Sequence, residues 1–223
     1  MIEQNVKNLI EQIPETNPFG EKVTLVAAVK LQTADNINRA VAAGITDIGD
    51  NHVQEFRDKF DLIEGNPRRH FIGHLQTNKI KYLLGKVDLY HSVDRLPLAE
   101  ELSKRSVNAG ITSNILIQIN IGDEDTKGGF SYGQAESAYQ SIKALDGLKI
   151  KGLMAMLPFI DDVAELERLA KKMRTLYDNL KNADPNFEYL SMGMSGDWKL
   201  CVEAGSNMIR LGTSIFGERN YNK

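Results

Sequence analysis

Apolar and β-branched residues recur along the chain in short runs, each followed by a polar or glycine-bearing turn and then by a stretch with helical spacing. Residues 3 to 13 place Val6, Leu9, Ile10 and Ile13 on one helical face, and Pro14 ends that helix. The next run, Val23 to Lys30 (VTLVAAVK), predicts a strand buried on both faces with Lys30 at its carboxyl end. Thr33 can cap the following helix, which Ile37, Ala40, Val41 and Gly44 line on one side. The alternation then repeats. Strand Thr46 to Gly49 leads through Asp50 and Asn51 to a helix over Val53 to Ile63, and strand Arg69 to Gly73 leads past His74 to a helix around Lys79 to Leu84. Leu89 to Val93 pairs with helix Leu96 to Ala109, and Asn114 to Asn120 with a glycine- and charge-rich loop and a helix near Gln134 to Leu145. Ile150 to Met156 precedes the long helix Val163 to Leu180, Tyr189 to Met194 precedes a short one near Trp198 to Ala204, and Met208 to Leu211 is the last strand.

Eight strands alternating with helical segments, most about twenty-five residues apart, fit a single α/β domain over residues 1–223. The expected fold is a (β/α)8 TIM-type barrel with an additional N-terminal helix. A doubly wound open sheet is the alternative on pattern alone. In a barrel, Lys30, Asp50, Asn51, His74, Asp94, Asn120, Met156, Ser195 and the Arg210 to Thr213 segment gather at the carboxyl-end mouth, where such folds carry their chemistry.

Composition narrows the class. Twenty-seven basic against thirty acidic residues give a net charge of −3, which offers no general electrostatic case for nucleic acid. No apolar run approaches a membrane span, and the amino terminus is polar and amphipathic rather than a leader, so a cytoplasmic protein, monomeric and without membrane contact, is expected. The single Cys201 suits a reducing compartment and reads as a small buried hydrophobe.

An amine at the mouth of an apolar strand loses part of its hydration, which disfavours the ammonium form and makes Lys30 a candidate Schiff-base lysine; a solvated strand-capping lysine is the plain alternative. Two turns concern anions. Gly193 to Gly196 (GMSG) opens a helix, so its N–H groups and the Ser195 hydroxyl can meet a phosphate, and Leu211, Gly212, Thr213 and Ser214 form a second glycine-bearing turn. Barrel phosphate sites are built by the loops after strands seven and eight. An imine-forming lysine facing a phosphate cradle suggests pyridoxal 5′-phosphate (PLP). If Arg210 faces the pyridine nitrogen, that nitrogen stays an unprotonated acceptor and the ring is a poor electron sink.

Six ordered stretches carry a resemblance: LVAAVK ending at Lys30, IGDNHVQE (48–55), HFIGHLQTNK (70–79), GLMAM (152–156), SMGMSGDW (191–198) and IRLGTSIFGER (209–219). With them the chain resembles, from about Val23 to Tyr221, the PLP homeostasis protein family, itself similar to the barrel domain of alanine racemase. The resemblance implies that Lys30 holds the cofactor aldehyde, Arg210 faces the pyridine nitrogen, Ser195, Gly212 and Thr213 hold the phosphate, and Asn51 lies close to the ring. Met154, His74 and Asn78 fall in the matching stretches too. The family continues from its lysine with threonine, lysine and proline, whereas this chain reads Leu31, Gln32, Thr33, so a second lysine beside the cofactor is not expected; Asp50 replaces a glutamate. The implied function is intracellular PLP homeostasis, carrying or buffering the cofactor without significant turnover, with PLP-dependent apoenzymes as possible recipients.

The alternatives are a small PLP-dependent amino-acid racemase and an interaction barrel without ligand. Racemisation needs a second acid/base on the opposite face of the α-carbon, which alanine racemases take from a partner's β-domain; with ten residues after Thr213, no such domain is expected. VAAVK lacks the glycine-rich loop and the HRD and DFG triplets of a kinase. Asp123, Asp125 and Gly128 start like a calcium loop but place Lys127 and Gln134 where ligands belong. His70 and His74 have zinc-helix spacing on a strand-like segment, so polar roles and no metal are expected. Core packing explains most of Met154, Met156, Met192 and Met194.

Overall fold

The apolar runs become parallel strands because a strand buried on both faces needs neighbours in the sheet and helices outside it. The structure, a computed structural model, describes residues 1–124 and 126–218. Asp125 of the calcium-loop reading, the end of the 1–223 span and the end of the IRLGTSIFGER stretch lie outside the described residues.

Strands β1 (Thr24–Ala28), β2 (Asp47–Asp50), β3 (Arg68–Phe71), β4 (Leu89–Val93) and β5 (Ser113–Asn120) are followed by a two-residue strand β6 (Phe130–Ser131) on the end of β5. Then come β7 (Leu148–Ala155), β8 (Tyr189–Ser191) and β9 (Met208–Leu211). The order β4-β3-β2-β1-β9-β8-β7-β5, all parallel, closes through the β4–β5 pair into an eight-stranded barrel. Closure excludes the open sheet. Helix α1 (Ile2–Gln12) precedes β1, and helices α2 (Ala34–Ala42), α3 (Val53–Lys59), α4 (Leu96–Asn108), α5 (Ala135–Lys143), α6 (Val163–Ala183), α7 (Trp198–Glu203) and α8 (Thr213–Phe216) lie between or after the strands. None of the described helices is long and apolar enough to cross a membrane.

Local chemistry sets these elements. The Thr33 hydroxyl accepts the Asn36 N–H at 3.2 Å and starts α2. α1 packs on α2 and α8, with the Asn5 amide donating to the Ile215 carbonyl at 2.9 Å. The segment expected as a helix around Lys79 is a 3₁₀ coil over Thr77–Tyr82, because the apolar repeat there is only long enough to bury Ile80 and Leu83 before Gly85 turns the chain.

Period-two alternation assigns the two faces of the wall. On β9, Ile209 and Leu211 pack outward with Val6, Ile37 and Ile215, while Met208 joins Val26, Leu89, Leu116 and Met154 inside the barrel. Arg210 shares the inner parity of Met208. Most of the four methionines pack in the core, Met154 and Met192 buried and Met156 half-buried, while Met194 is 39% exposed because β8 stops at Ser191 and the following turn carries it to the rim.

Candidate functional site

At the carboxyl ends of the strands a cavity of about 850 Å³ is lined by Lys30, Asn51, Ser195, Arg210, Gly212 and Thr213, so all six candidate residues meet around one space. Ala28, Ile72, Met156 and Leu157 supply apolar wall. The size and the mixture suit a small cofactor.

Lys30 is half-buried and stands two residues past the end of β1, in a turn rather than on the strand. Asn51 follows β2, and its backbone is pressed against Gly73, where a Cβ would fall 2.0 Å from the Asn51 carbonyl oxygen. Any side chain at Gly73 would push Asn51 out of line. Asp50, one residue earlier, is buried, which pushes its carboxyl up to about 6 against the opposing charges of Lys59 and Arg69.

Around the same cavity, on the strands next to β1, the turn after β9 contributes Gly212 and Thr213 and the turn after β8 contributes Ser195 and Gly196. The first turn of α8 has Gly212 at its cap with no side-chain cap bond, which leaves first-turn N–H groups for a ligand at this wall. The Met194 N–H is already taken by Asp197 Oδ1 at 2.6 Å.

Arg210 forms the floor. Its guanidinium donates to the Ser191 carbonyl at 2.9 Å, the Ser191 hydroxyl at 2.6 Å and the Ala155 carbonyl at 3.0 Å. These acceptors are neutral, and burial pushes the guanidinium down to about 10, so it stays charged at neutral pH.

Behind Arg210 runs a buried chain of polar side chains. His91 Nδ1 lies 3.1 Å from Ser191 Oγ, His91 Nε2 lies 2.9 Å from His70 Nδ1, and His70 Nε2 lies 2.8 Å from Asp47 Oδ1. Arg68 pairs with Asp47 at 2.8 Å at the far end. Arginine can only donate, so Ser191 Oγ accepts from it and gives its own proton to His91. His91 then donates from Nε2 to His70, and His70 from Nε2 to Asp47; the tautomers follow from the donors. Burial, with the Arg210 charge nearby, holds His91 well below the ordinary imidazole range and keeps it neutral. Burial would raise the Asp47 carboxyl, but bonds from His70 and Thr46 outweigh it and hold Asp47 below the usual carboxylate range. One continuous chain therefore links the cavity floor to the opposite end of the barrel.

Sequence reasoning missed this chain, although its signal was present: Asp47, His70, His91 and Ser191 are polar residues within apolar strand runs. It also missed Lys127, which lines the same cavity from the loop after β5. The Lys127 amine donates to Glu124 Oε1 at 2.7 Å and to the Leu157 carbonyl at 3.1 Å. A second lysine does border the cavity, then, from a loop remote from Lys30 in sequence. His74 does not join it. With Nδ1 3.0 Å from Asp94 Oδ2, it borders a neighbouring space with Arg57, Gln76 and Tyr82.

The family model for the alanine racemase N-terminal domain matches residues 1–220. A pyridoxal phosphate homeostasis protein of Aquifex aeolicus is 38% identical over 199 residues, spanning 88% of this chain and 87% of its own. The chain belongs to the pyridoxal phosphate homeostasis protein family. PipY of Synechococcus elongatus, solved with PLP bound, superposes with a TM-score of 0.83 at 31% identity, covering 97% of this chain and 100% of that one. Alanine racemase of Clostridium difficile shares the fold, with a TM-score of 0.76 at 12% identity, and this chain covers 56% of that one.

Proposed function

We propose that this protein binds PLP in the Lys30 cavity and serves intracellular PLP homeostasis, holding the cofactor and releasing it rather than turning over amino acids. The observation that carries the reading is the convergence of a lysine amine, two small-residue turns and a buried guanidinium around one cavity. The fit is chemical. Lys30 would hold the aldehyde covalently, and Ser195 with the backbone of Gly212 and Thr213 would hold the phosphate. Asn51 would lie along the ring. Arg210 would donate to the pyridine nitrogen, with its other bonds to Ser191 and Ala155 fixing its plane. PLP supplies an aldehyde carbon that bonds amines and a ring that can take up electron density; a guanidinium donor at the nitrogen keeps that uptake small.

The same reading takes PLP-dependent apoenzymes as recipients, a monomer as the working form, a cytoplasmic location, and the barrel as the single unit of function. Racemisation is disfavoured because the second amine at the cavity, Lys127, is held by Glu124 and the Leu157 carbonyl, and His74 with Asp94 faces the neighbouring space.

The test is to load the protein with PLP and incubate it with each common L-amino acid in deuterated water, following α-deuterium by NMR and the D-isomer by chiral chromatography. Rates no greater than those of free PLP are expected. Turnover well above free PLP for one amino acid, abolished in Lys30→Ala, would make the protein a racemase instead.

A further inference from the structure

The chain leaves β1 through a tight turn in which the Gln32 N–H donates to the Val29 carbonyl at 3.1 Å. Lys30 and Leu31 are its two central residues, and Leu31 has a φ of 63°. A positive φ at the second central position belongs to a type II turn, where glycine or asparagine is favoured. Leucine is strained there, and strain of that kind persists only where the surroundings over-determine it. The Leu31 side chain is 56% exposed, so packing does not hold it.

Two side chains of α3 do. Glu55 Oε2 accepts the Leu31 N–H at 2.8 Å. Lys59 Nζ donates to the Gln32 carbonyl at 3.1 Å and lies 3.5 Å from the Val29 carbonyl. Glu55 and Lys59 pair with each other at 3.0 Å, four residues apart on the helix, with side chains only 24% and 13% exposed. Three backbone groups of the turn are thus tied to one ion pair. Burial alone would raise the Glu55 carboxyl, yet the Leu31 N–H and Lys59 outweigh it and hold Glu55 below its usual range, ionised and ready to accept.

We propose that Glu55 and Lys59 are positioning residues for Lys30: the pair clamps a strained turn so that the Lys30 amine is presented to the cavity instead of sampling solvent. The proposal rests on the reading of Lys30 as the amine that takes PLP. In that condensation Lys30 Nζ bonds the aldehyde carbon and the aldehyde oxygen leaves as water, with no oxidant or reductant involved. Lysine is a long, flexible side chain, so fixing the backbone at its root removes much of the search for the reacting geometry.

The experiment measures PLP affinity by absorbance titration in the wild type, Glu55→Ala, Leu31→Gly and the double variant, and amide hydrogen exchange at residue 31 in the protein without PLP. Glu55→Ala should weaken binding about tenfold, the scale of one charge-assisted hydrogen bond, and speed exchange at Leu31. In the Leu31→Gly background the same change should cost about threefold or less, because glycine takes the positive φ without strain. Wild-type affinity in Glu55→Ala, or an equal loss in both backgrounds, would overturn the clamp. If Glu55→Ala fails to fold, Lys59→Met carries the same comparison, with the same outcome against it. If PLP leaves Lys30 of the wild type unmodified, the functional reading fails, and Leu31 amide exchange still decides the clamp: faster in the α3 variants if it holds, unchanged if it does not.

Discussion

Asp50 shows what one buried carboxyl does to stability. An unfolded aspartate titrates near 3.9, whereas burial pushes Asp50 up to about 6 in the folded protein. Between those values the folded state binds more protons than the unfolded one, so Asp50 lowers stability as pH rises through the window, and the penalty persists above it. Asp50→Asn should therefore stabilise the protein by about 2 kcal/mol at pH 7.5 and by almost nothing at pH 3.5. Denaturant unfolding at both values checks this; a gain independent of pH, or a loss at pH 7.5, would contradict it. Ser191 is the other telling residue, because its hydroxyl accepts from Arg210 and donates to His91. Ser191→Ala should cost about 1–3 kcal/mol through the two buried groups left unpaired. Adding His91→Leu should cost less than the sum of the single changes, since both break one chain. Strict additivity in urea unfolding would show that the chain does not act as a unit.

Among the elements, the turns after β8 and β9 carry the anion reading. If Ser195, Gly212 and Thr213 hold the phosphate, pyridoxal without it should bind at least a hundredfold more weakly, because several hydrogen bonds of about 1.5–3 kcal/mol each are lost. Calorimetry with both aldehydes checks this, and equal affinities would remove the phosphate site. The strands and the residues just beyond them were legible in the sequence because strand burial and the barrel rule act locally: a double-faced apolar run places its carboxyl end at the mouth whatever the rest of the fold does. The Asp47–His70–His91–Ser191 chain was not, since it depends on the register between four strands. The φ of Leu31 was hidden for a related reason: a strained turn is visible only through the α3 pair that holds it. Lys127 escaped because only the path of a long loop decides how far its side chain reaches.

At the scale of the whole molecule, a closed ring of parallel strands delivers eight chain ends to one face, so groups from residue 30 to residue 213 meet although they are far apart in sequence. The rim of that face is accessible, with Phe159 fully exposed and Met194 39% exposed, which suits a cofactor that must enter and leave. The account stands on a covalent hold at Lys30. Its most direct measurement is to add PLP to the purified protein, reduce with borohydride, digest, and locate the pyridoxyl group by peptide mass mapping. The account predicts one dominant label on Lys30 and loss of the associated absorbance band in a folded Lys30→Ala variant; a label mainly on Lys127 or another lysine, with Lys30 unmodified, would contradict it.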